Sequence, residues 1–323
     1  MAASLGKEGR GIIAVNSGTV GLPHDYDDDR AIVYLRLDET APEQDAAVRA
    51  LWEAGHPVLT LNVREVYDVG GEFLRWAYAV VVAGHLLGVN PFDEPDTRTS
   101  KTHTQDLLSY AETHGKLPTS APYLVEDDVE LYINESMGEI LEKICAQRNY
   151  SLTGLSGMLA AHISFARSGD YIALLAYLNP EPETDALLHN IQRRLRHATT
   201  RAVTLGYGPR YLHLTGQMHK GGPETGLFIF ITAEDRQDLP IPGKGYTFGT
   251  LKQAQALGDL RAIRQKERPV VHLHIKGDVA VGLAKVLRAI EVEQESRFKR
   301  SGPGRLATLV FAWRPFLCNC CFR

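Results

Sequence analysis

Ala31-Ile-Val-Tyr-Leu-Arg-Leu37 and Val58-Leu-Thr-Leu-Asn-Val63 bracket a segment in which Ala46, Ala47, Ala50, Leu51 and Ala54 recur at three- and four-residue steps between Pro42 and Gly55. The two flanking runs read as strands, the first by its apolar–polar alternation after Val33. The middle segment reads as a helix, with proline in its first turn and glycine beyond its last. Strand, helix and strand with short joints predict a parallel pair joined by a right-handed crossover. Such a sheet keeps its ligand at the carboxyl ends of its strands.

Outward from this unit, residues 71–87 predict a helix that is apolar nearly all round from Ala77 onward, and therefore covered on several sides. Pro91 and Pro95 predict a turn, residues 102–114 a short helix closed by Gly115, and residues 118–122 a linker. Residues 126–168 read as a connector of one strand and two helices, the second over 151–166. A second α/β unit follows: strand 170–178, a long arginine-studded helix over 182–205, a buried strand 226–233, helix 250–266, strand 270–275 and helix 279–290. The expected division is an α/β half at 1–118, a mainly helical connector at 119–168 and a carboxyl-terminal α/β domain at 169–291. After Glu291 the pattern collapses, so 292–323 is expected to be a disordered or non-native tail.

Composition bounds the function. A chain of 323 residues at 44% hydrophobic and 23% charged is globular and long enough for two cores. The 35 Lys+Arg against 39 Asp+Glu leave a charge of −4, so no overall positive field recruits nucleic acid or a membrane surface. The longest apolar stretch, residues 77–89, is about thirteen residues where a spanning helix needs roughly 20. Four cysteines, with Cys318, Cys320 and Cys321 crowded at the end, make no disulfide framework. With no secretory signal at the start, a cytoplasmic location is expected.

Three stretches carry candidate chemistry. Gly6-Lys-Glu-Gly-Arg-Gly11 is a loop able to wrap an anion with backbone N–H groups, or a solvated loop with no ligand. It has neither Walker nor dinucleotide-binding spacing. Residues 88–101 place turn formers ahead of Lys101: the structural reading, a rigid turn and cap, is favoured by physics alone, and the functional one delivers Lys101 to a pocket mouth, where its ammonium assists proton transfer or steadies an oxyanion. Residues 206–223 gather His213, His219, Arg210, Lys220 and five glycines in a stretch readable as a functional loop or a structural one. No metal or cofactor is predicted. His213 and His219 lack nearby carboxylates, His272 and His274 alternate as in ordinary strands, and the cysteine tail has no second ligand cluster.

The same residues resemble a family, phosphoglucose isomerase in the form found as the carboxyl-terminal part of bifunctional transaldolase/phosphoglucose isomerase. The blocks are Ser4-Leu-Gly-Lys-Glu-Gly-Arg-Gly-Ile12, Asn90-Pro-Phe-Asp-Glu-Pro95 through Lys101, and Gly208-Pro-Arg-Tyr-Leu-His-Leu-Thr-Gly-Gln-Met-His-Lys-Gly-Gly-Pro223, supported by Ile241-Pro-Gly243 and Ala254-Gln-Ala-Leu-Gly-Asp259. The match spans residues 4–290. It implies an incomplete sugar-isomerase (SIS-like) parallel-sheet sandwich followed by a second α/β unit. The implied reaction is glucose 6-phosphate to fructose 6-phosphate through a cis-enediol, with Lys101 assisting ring opening and Lys7, Arg10, His219 and Lys220 contacting the sugar phosphate. Departures are Ala3 before Ser4 and Ala77 after Trp76 where the family has glutamate, Glu94 for glutamine and Thr97 for a hydrophobic residue. The first sugar-isomerase half, with most of the phosphate pocket, is absent. The isolated chain is thus expected to be weak or inert, with that amino-terminal half or a second copy as its partner. A non-catalytic sugar-phosphate-binding module and a truncated fragment are the competing expectations.

Overall fold

The computed structural model describes residues 1–16, 18–37, 42–147 and 154–300, with side chains through Glu291. In chain order the elements are α1 (Ala2–Leu5), β1 (Ile32–Leu37), α2 (Pro42–Glu53), β2 (Val58–Val63), α3 (Val69–Leu87), α4 (Pro95–His114), β3 (Leu124–Glu126), β4 (Val129–Tyr132), α5 (Glu135–Gln147), α6 (Gly154–Ile163), β5 (Tyr171–Tyr177), α7 (Pro182–Thr199), β6 (Ala202–Tyr207), α8 (Gly216–Gly221), β7 (Gly226–Ala233), α9 (Phe248–Gln265), β8 (Val270–Ile275) and α10 (Val279–Arg300). The fold is α/β.

β1 and β2 form the parallel pair expected from their spacing, in register from Ile32 opposite Val58 to Leu37 opposite Val63. They make a two-stranded sheet of their own. Among the described residues the cover expected around α3 is not there. Leu74, Tyr78, Val82 and Leu86, at four-residue steps and therefore on one helix face, are exposed by 61, 67, 57 and 79%. Only Glu72 and Gly84 of this helix are buried. Periodicity reports that a helix wants cover, and cannot report whether a neighbour exists to supply it.

The second sheet has six strands in the order β3-β4-β8-β7-β5-β6, parallel throughout except where β4 runs against β8 and β3 against β4. β5 and β7 are buried along their whole length, which is why they read as unbroken apolar runs. Alternation sorts their side chains into two cores. Ile172, Leu174 and Ala176 face a layer that includes Leu159, Leu188, Ile191 and Leu283 from α6, α7 and α10. Tyr171, Ala173, Leu175 and Tyr177 join Phe228 and Phe230 beneath Ala256, Leu260 and Ile263 of α9. α4 lies outside α9, with Leu107 and Ala111 against Ala254. The two helices approach closely at Gly258, where an added Cβ would stand 2.8 Å from the Thr104 backbone nitrogen.

Four expectations change. The helix expected to run to 205 stops at Thr199, where Thr200 turns left-handed at φ 60°, and Val203 and Leu205 enter edge strand β6. The connector is not a separate helical piece: β3 and β4 form a hairpin that joins β8, and strands of three and four residues are too short to show a period. The helix expected at 102 begins at Pro95, and α10 continues to Arg300 rather than ending at 290. The expectations for residues 301–323 and for Cys318, Cys320 and Cys321 lie outside the described residues. Among the described residues no helix is long and apolar enough to cross a membrane.

Candidate functional site

The segments that carry candidate chemistry, far apart in sequence, meet in one place. In the amino-terminal loop, Lys7 is 2% exposed and its Nζ donates to the Asn90 carbonyl at 2.6 Å, to Asp93 Oδ1 at 2.6 Å and to the Asp93 carbonyl. Gln217 of α8 ties the same loop to α4: its Nε2 donates to the Gly6 carbonyl at 3.0 Å and to Asp96 Oδ2 at 2.7 Å, while its Oε1 accepts from the Asp96 backbone N–H. Gly221 is the residue this approach requires, since an added Cβ would lie 2.2 Å from Asp96 Oδ2.

Below this junction is a sealed polar node. Lys220 Nζ donates to Asp259 Oδ1 at 2.7 Å, Ser100 Oγ donates to the same oxygen at 2.8 Å, and the Tyr211 hydroxyl donates to Asp259 Oδ2. Lys220 and Asp259 are 1% and 0% exposed. Burying an ion costs several kcal/mol unless it is paired and hydrogen-bonded, and here both conditions hold. Burial, followed by the Asp259 charge, holds the Tyr211 hydroxyl well above the usual tyrosine range. His219 Nδ1 lies 3.0 Å from the Tyr171 hydroxyl, and its Nε2 has no partner among the described residues. Burial, with the neighbouring Lys220 charge, lowers its pKa to about 3, so the ring is neutral.

In this geometry the residues expected to contact the sugar phosphate have partners within the protein. Lys7, His219 and Lys220 face inward and their polar groups serve the protein interior. Arg10 is exposed, with its guanidinium on the Leu87 carbonyl at the end of α3. Lys101 is exposed on α4, beside a buried stripe of Thr97, Ser100, Leu107 and Ala111, and makes no hydrogen bond or ion pair among the described residues. It lines none of the cavities described below. The bend at Pro91 and Pro95 passes directly into helix, so the lysine is carried round to the solvent side instead of ending a loop.

A concave region that gathers polar side chains lies elsewhere. A cavity of about 460 Å³ opens on the α9 side of the sheet, over β4, β8 and β7, with the 117–122 segment as one wall. Thr232 Oγ1 stands 2.8 Å from His272 Nε2 and 2.8 Å from His274 Nδ1. Glu130 receives the Tyr132 hydroxyl at 2.6 Å and Lys276 at 3.1 Å. Arg264 donates to the Tyr132 carbonyl at 3.2 Å. Burial, then the neighbouring His274 and Arg264, lowers the His272 pKa to about 3, and burial lowers that of His274. The sequence shows the two histidines, and only the register that sets Thr232 opposite His274 reveals what joins them. A smaller cavity of about 370 Å³ lies between Gly18 and α7.

Metal-capable groups were not expected. Among the described residues, His24, Asp25 and His197 bring one ligand atom each within 4.8 Å of one another. As folded, His197 Nδ1 and Asp25 Oδ1 share a 2.7 Å hydrogen bond. Their positions, 172 residues apart, left no spacing signal.

No family model matches the chain, and no curated protein matches it. Among solved structures, the crystal structure of hypothetical protein TT0462 from Thermus thermophilus is similar at 15% identity with a TM-score of 0.39. The alignment covers 81% of this chain and 55% of that one, so the chain spans about half the length of this structural neighbour.

Proposed function

We propose that this chain is the carboxyl-terminal part of a glucose 6-phosphate isomerase with a SIS-like fold, and that by itself it turns over weakly or not at all. The observation that carries the reading is the joining of the resembling blocks: Lys7 on Asn90 and Asp93, Gln217 on Gly6 and Asp96, and Lys220 on Asp259. Blocks that fix one another in space act as one scaffold, and α4, which bears Lys101, is anchored in that scaffold through Asp96 and Ser100. The Lys101 ammonium is uncommitted among the described residues. In the reaction it would assist ring opening once a second α/β half closed a pocket over it, since proton transfer needs the acid or base within hydrogen-bond reach. The bare face of α3 and the open two-stranded sheet supply apolar area for such a half, because parallel sheets are ordinarily covered on both faces.

A coupled assay converting fructose 6-phosphate to glucose 6-phosphate tests this. The chain alone should give background rates. Mixed with a separately produced first sugar-isomerase half from a fused transaldolase/isomerase, it should gain turnover that Lys101→Met abolishes. Full turnover by the chain alone, or restored turnover indifferent to Lys101→Met, would overturn the reading.

A further inference from the structure

The cavity over β4, β8 and β7 takes no part in the isomerase reading, and its chemistry is specific enough to name a ligand class. Its floor is set by Thr232. A hydroxyl has one proton and two lone pairs, so Thr232 donates to at most one of the two imidazoles and accepts an N–H from at least one. When it donates to one ring, the two rings are held in complementary tautomers. One of the two remaining nitrogens, His272 Nδ1 or His274 Nε2, then carries a proton and the other a lone pair. Neither makes a hydrogen bond among the described residues. In that arrangement the pair offers one donor and one acceptor, the complement of an alcohol.

Charge completes the pattern. Lys276 is matched by Glu130, whose other oxygen is occupied by the Tyr132 hydroxyl. Among the described residues the Arg264 side chain meets only a backbone carbonyl, with no carboxylate in ion-pair reach, and the Glu234 carboxylate lines the cavity without a hydrogen bond or ion pair. A guanidinium in this state is a natural receiver for a carboxylate or phosphate. Glu234 adds an acceptor for further hydroxyls and opposes a second negative charge nearby. Leu117, Pro118, Pro122 and Leu257 give the cavity an apolar wall against which a carbon skeleton can lie. At about 460 Å³ the space lies within the roughly 300–1,000 Å³ range of small-molecule sites.

We propose that this cavity binds a small polyhydroxylated organic oxyanion, its acidic group on Arg264 and its hydroxyls on His272, His274 and Glu234. The carboxylate of a sugar acid and the phosphate of a sugar phosphate share this chemistry. The site uses neither Lys101 nor any residue of the buried node, so it stands or falls apart from the isomerase reading.

Titration calorimetry of the full chain with gluconate, glucose 6-phosphate and glucose tests it. At least one of the two anions should bind, glucose should bind at least tenfold more weakly, and Arg264→Gln should weaken the anion by about tenfold or more, roughly the loss of one charge-assisted contact. Gluconate alone binding would identify the carboxylate, and glucose 6-phosphate alone the phosphate; either supports the site. Thr232→Val, nearly the same shape without the hydroxyl, should also weaken binding, while Lys101→Met should leave it unchanged. The proposal is overturned if neither anion binds, if glucose binds as well as the anions, or if Arg264→Gln leaves affinity intact. Loss of glucose 6-phosphate binding in Lys101→Met with Arg264→Gln unaffected would place the ligand at Lys101, overturning this site while favouring the isomerase reading. Circular dichroism and the urea midpoint of each variant confirm that the fold is retained.

Discussion

Lys220 of α8 and Asp259 of α9 face each other at 2.7 Å in the protein interior, and the carboxylate is completed by Ser100 of α4 and Tyr211. Four segments therefore depend on one charge pair. Removing only the lysine strands a buried carboxylate, so Lys220→Met should cost about 3–5 kcal/mol. Neutralising both partners removes that penalty while leaving Ser100 and Tyr211 an amide to bond. The double variant Lys220→Met/Asp259→Asn should accordingly be more stable than Lys220→Met by about 1 kcal/mol or more. Urea unfolding of the two variants decides it, and a double variant weaker than the single would remove the stranded-charge account.

Gly221 tests the same junction sterically. Its missing side chain leaves room for Asp96 Oδ2 and Gln217 Nε2, which an added Cβ would meet at 2.2 and 2.7 Å. Gly221→Ala should destabilise by about 1–3 kcal/mol, the usual range for forced overpacking. The effect should shrink in a Gln217→Ala background, because the two changes share one contact. Additive losses in the double variant would show that the clash is relieved elsewhere.

Lys7 makes a spectroscopic prediction. Its hydrogen bond to Asp93 is the leading reason that this exposed carboxyl titrates below the ordinary aspartate range. In Lys7→Met the Asp93 pKa should return to that range, and the amide of Gly9, which donates to the Gly221 carbonyl at 2.9 Å, should exchange faster as the loop loosens. Carbon-detected NMR titration and hydrogen exchange read both. An unmoved Asp93 would mean that the lysine does not hold this turn.

Acid sensitivity follows from two sealed histidines. Burial lowers the His162 pKa to about 4 and that of His219 to about 3. Both folded values lie below the unfolded value of about 6.5, so the unfolded chain takes up protons first as pH falls. Stability should be flat above pH ~6.5 and then fall by roughly 1.4 kcal/mol per pH unit for each histidine, until each folded pKa is reached. Between about pH 6 and 5 the two together cost about 2.4 kcal/mol, in a window above the titration of ordinary carboxylates. Denaturant midpoints at about pH 7.5, 6 and 5 should show at least this slope, to which His272, lowered to about 3 by burial, adds, and His162→Gln should remove about half of the part due to the pair. A pH-independent midpoint over the range would show that these rings titrate normally.

How much of this was legible beforehand divides by physical cause. The β1–α2–β2 unit and the buried strands β5, β7 and β8 were readable because each has a period or an unbroken apolar run set by its own cover. β6 was hidden in the tail of a helical pattern, and β3 and β4 were too short to carry a period. The segments that matter at the junction were readable as glycine- and cation-rich, but not their direction: a lysine in a loop reads as a surface charge, and only the partners at Asn90, Asp93 and Asp259 turn Lys7 and Lys220 inward. The paired histidines of β8 were visible, whereas their link through Thr232 is a cross-strand relation that sequence order cannot display.

The bare stripe on α3 gives the last prediction. Leu74, Tyr78, Val82 and Leu86 present a continuous apolar surface of the kind that monomeric proteins seldom leave open. The chain should therefore bind a hydrophobic dye such as ANS while folded, and scatter more light per unit mass as its concentration rises. Leu74→Glu, Tyr78→Lys, Val82→Glu and Leu86→Lys together replace the stripe with Glu-to-Lys pairs at i,i+4 spacing, a good helix surface in which each pair adds about 0.2–0.5 kcal/mol. Because the native residues touch solvent, the fourfold variant should keep or slightly raise the urea midpoint while its dye fluorescence and scattering drop. It should also lose any turnover gained on mixing with a sugar-isomerase half, since the apolar area offered to that half is gone. If the chain in solution instead buries this face against itself, four charges would unfold it, and dye binding would rise rather than fall.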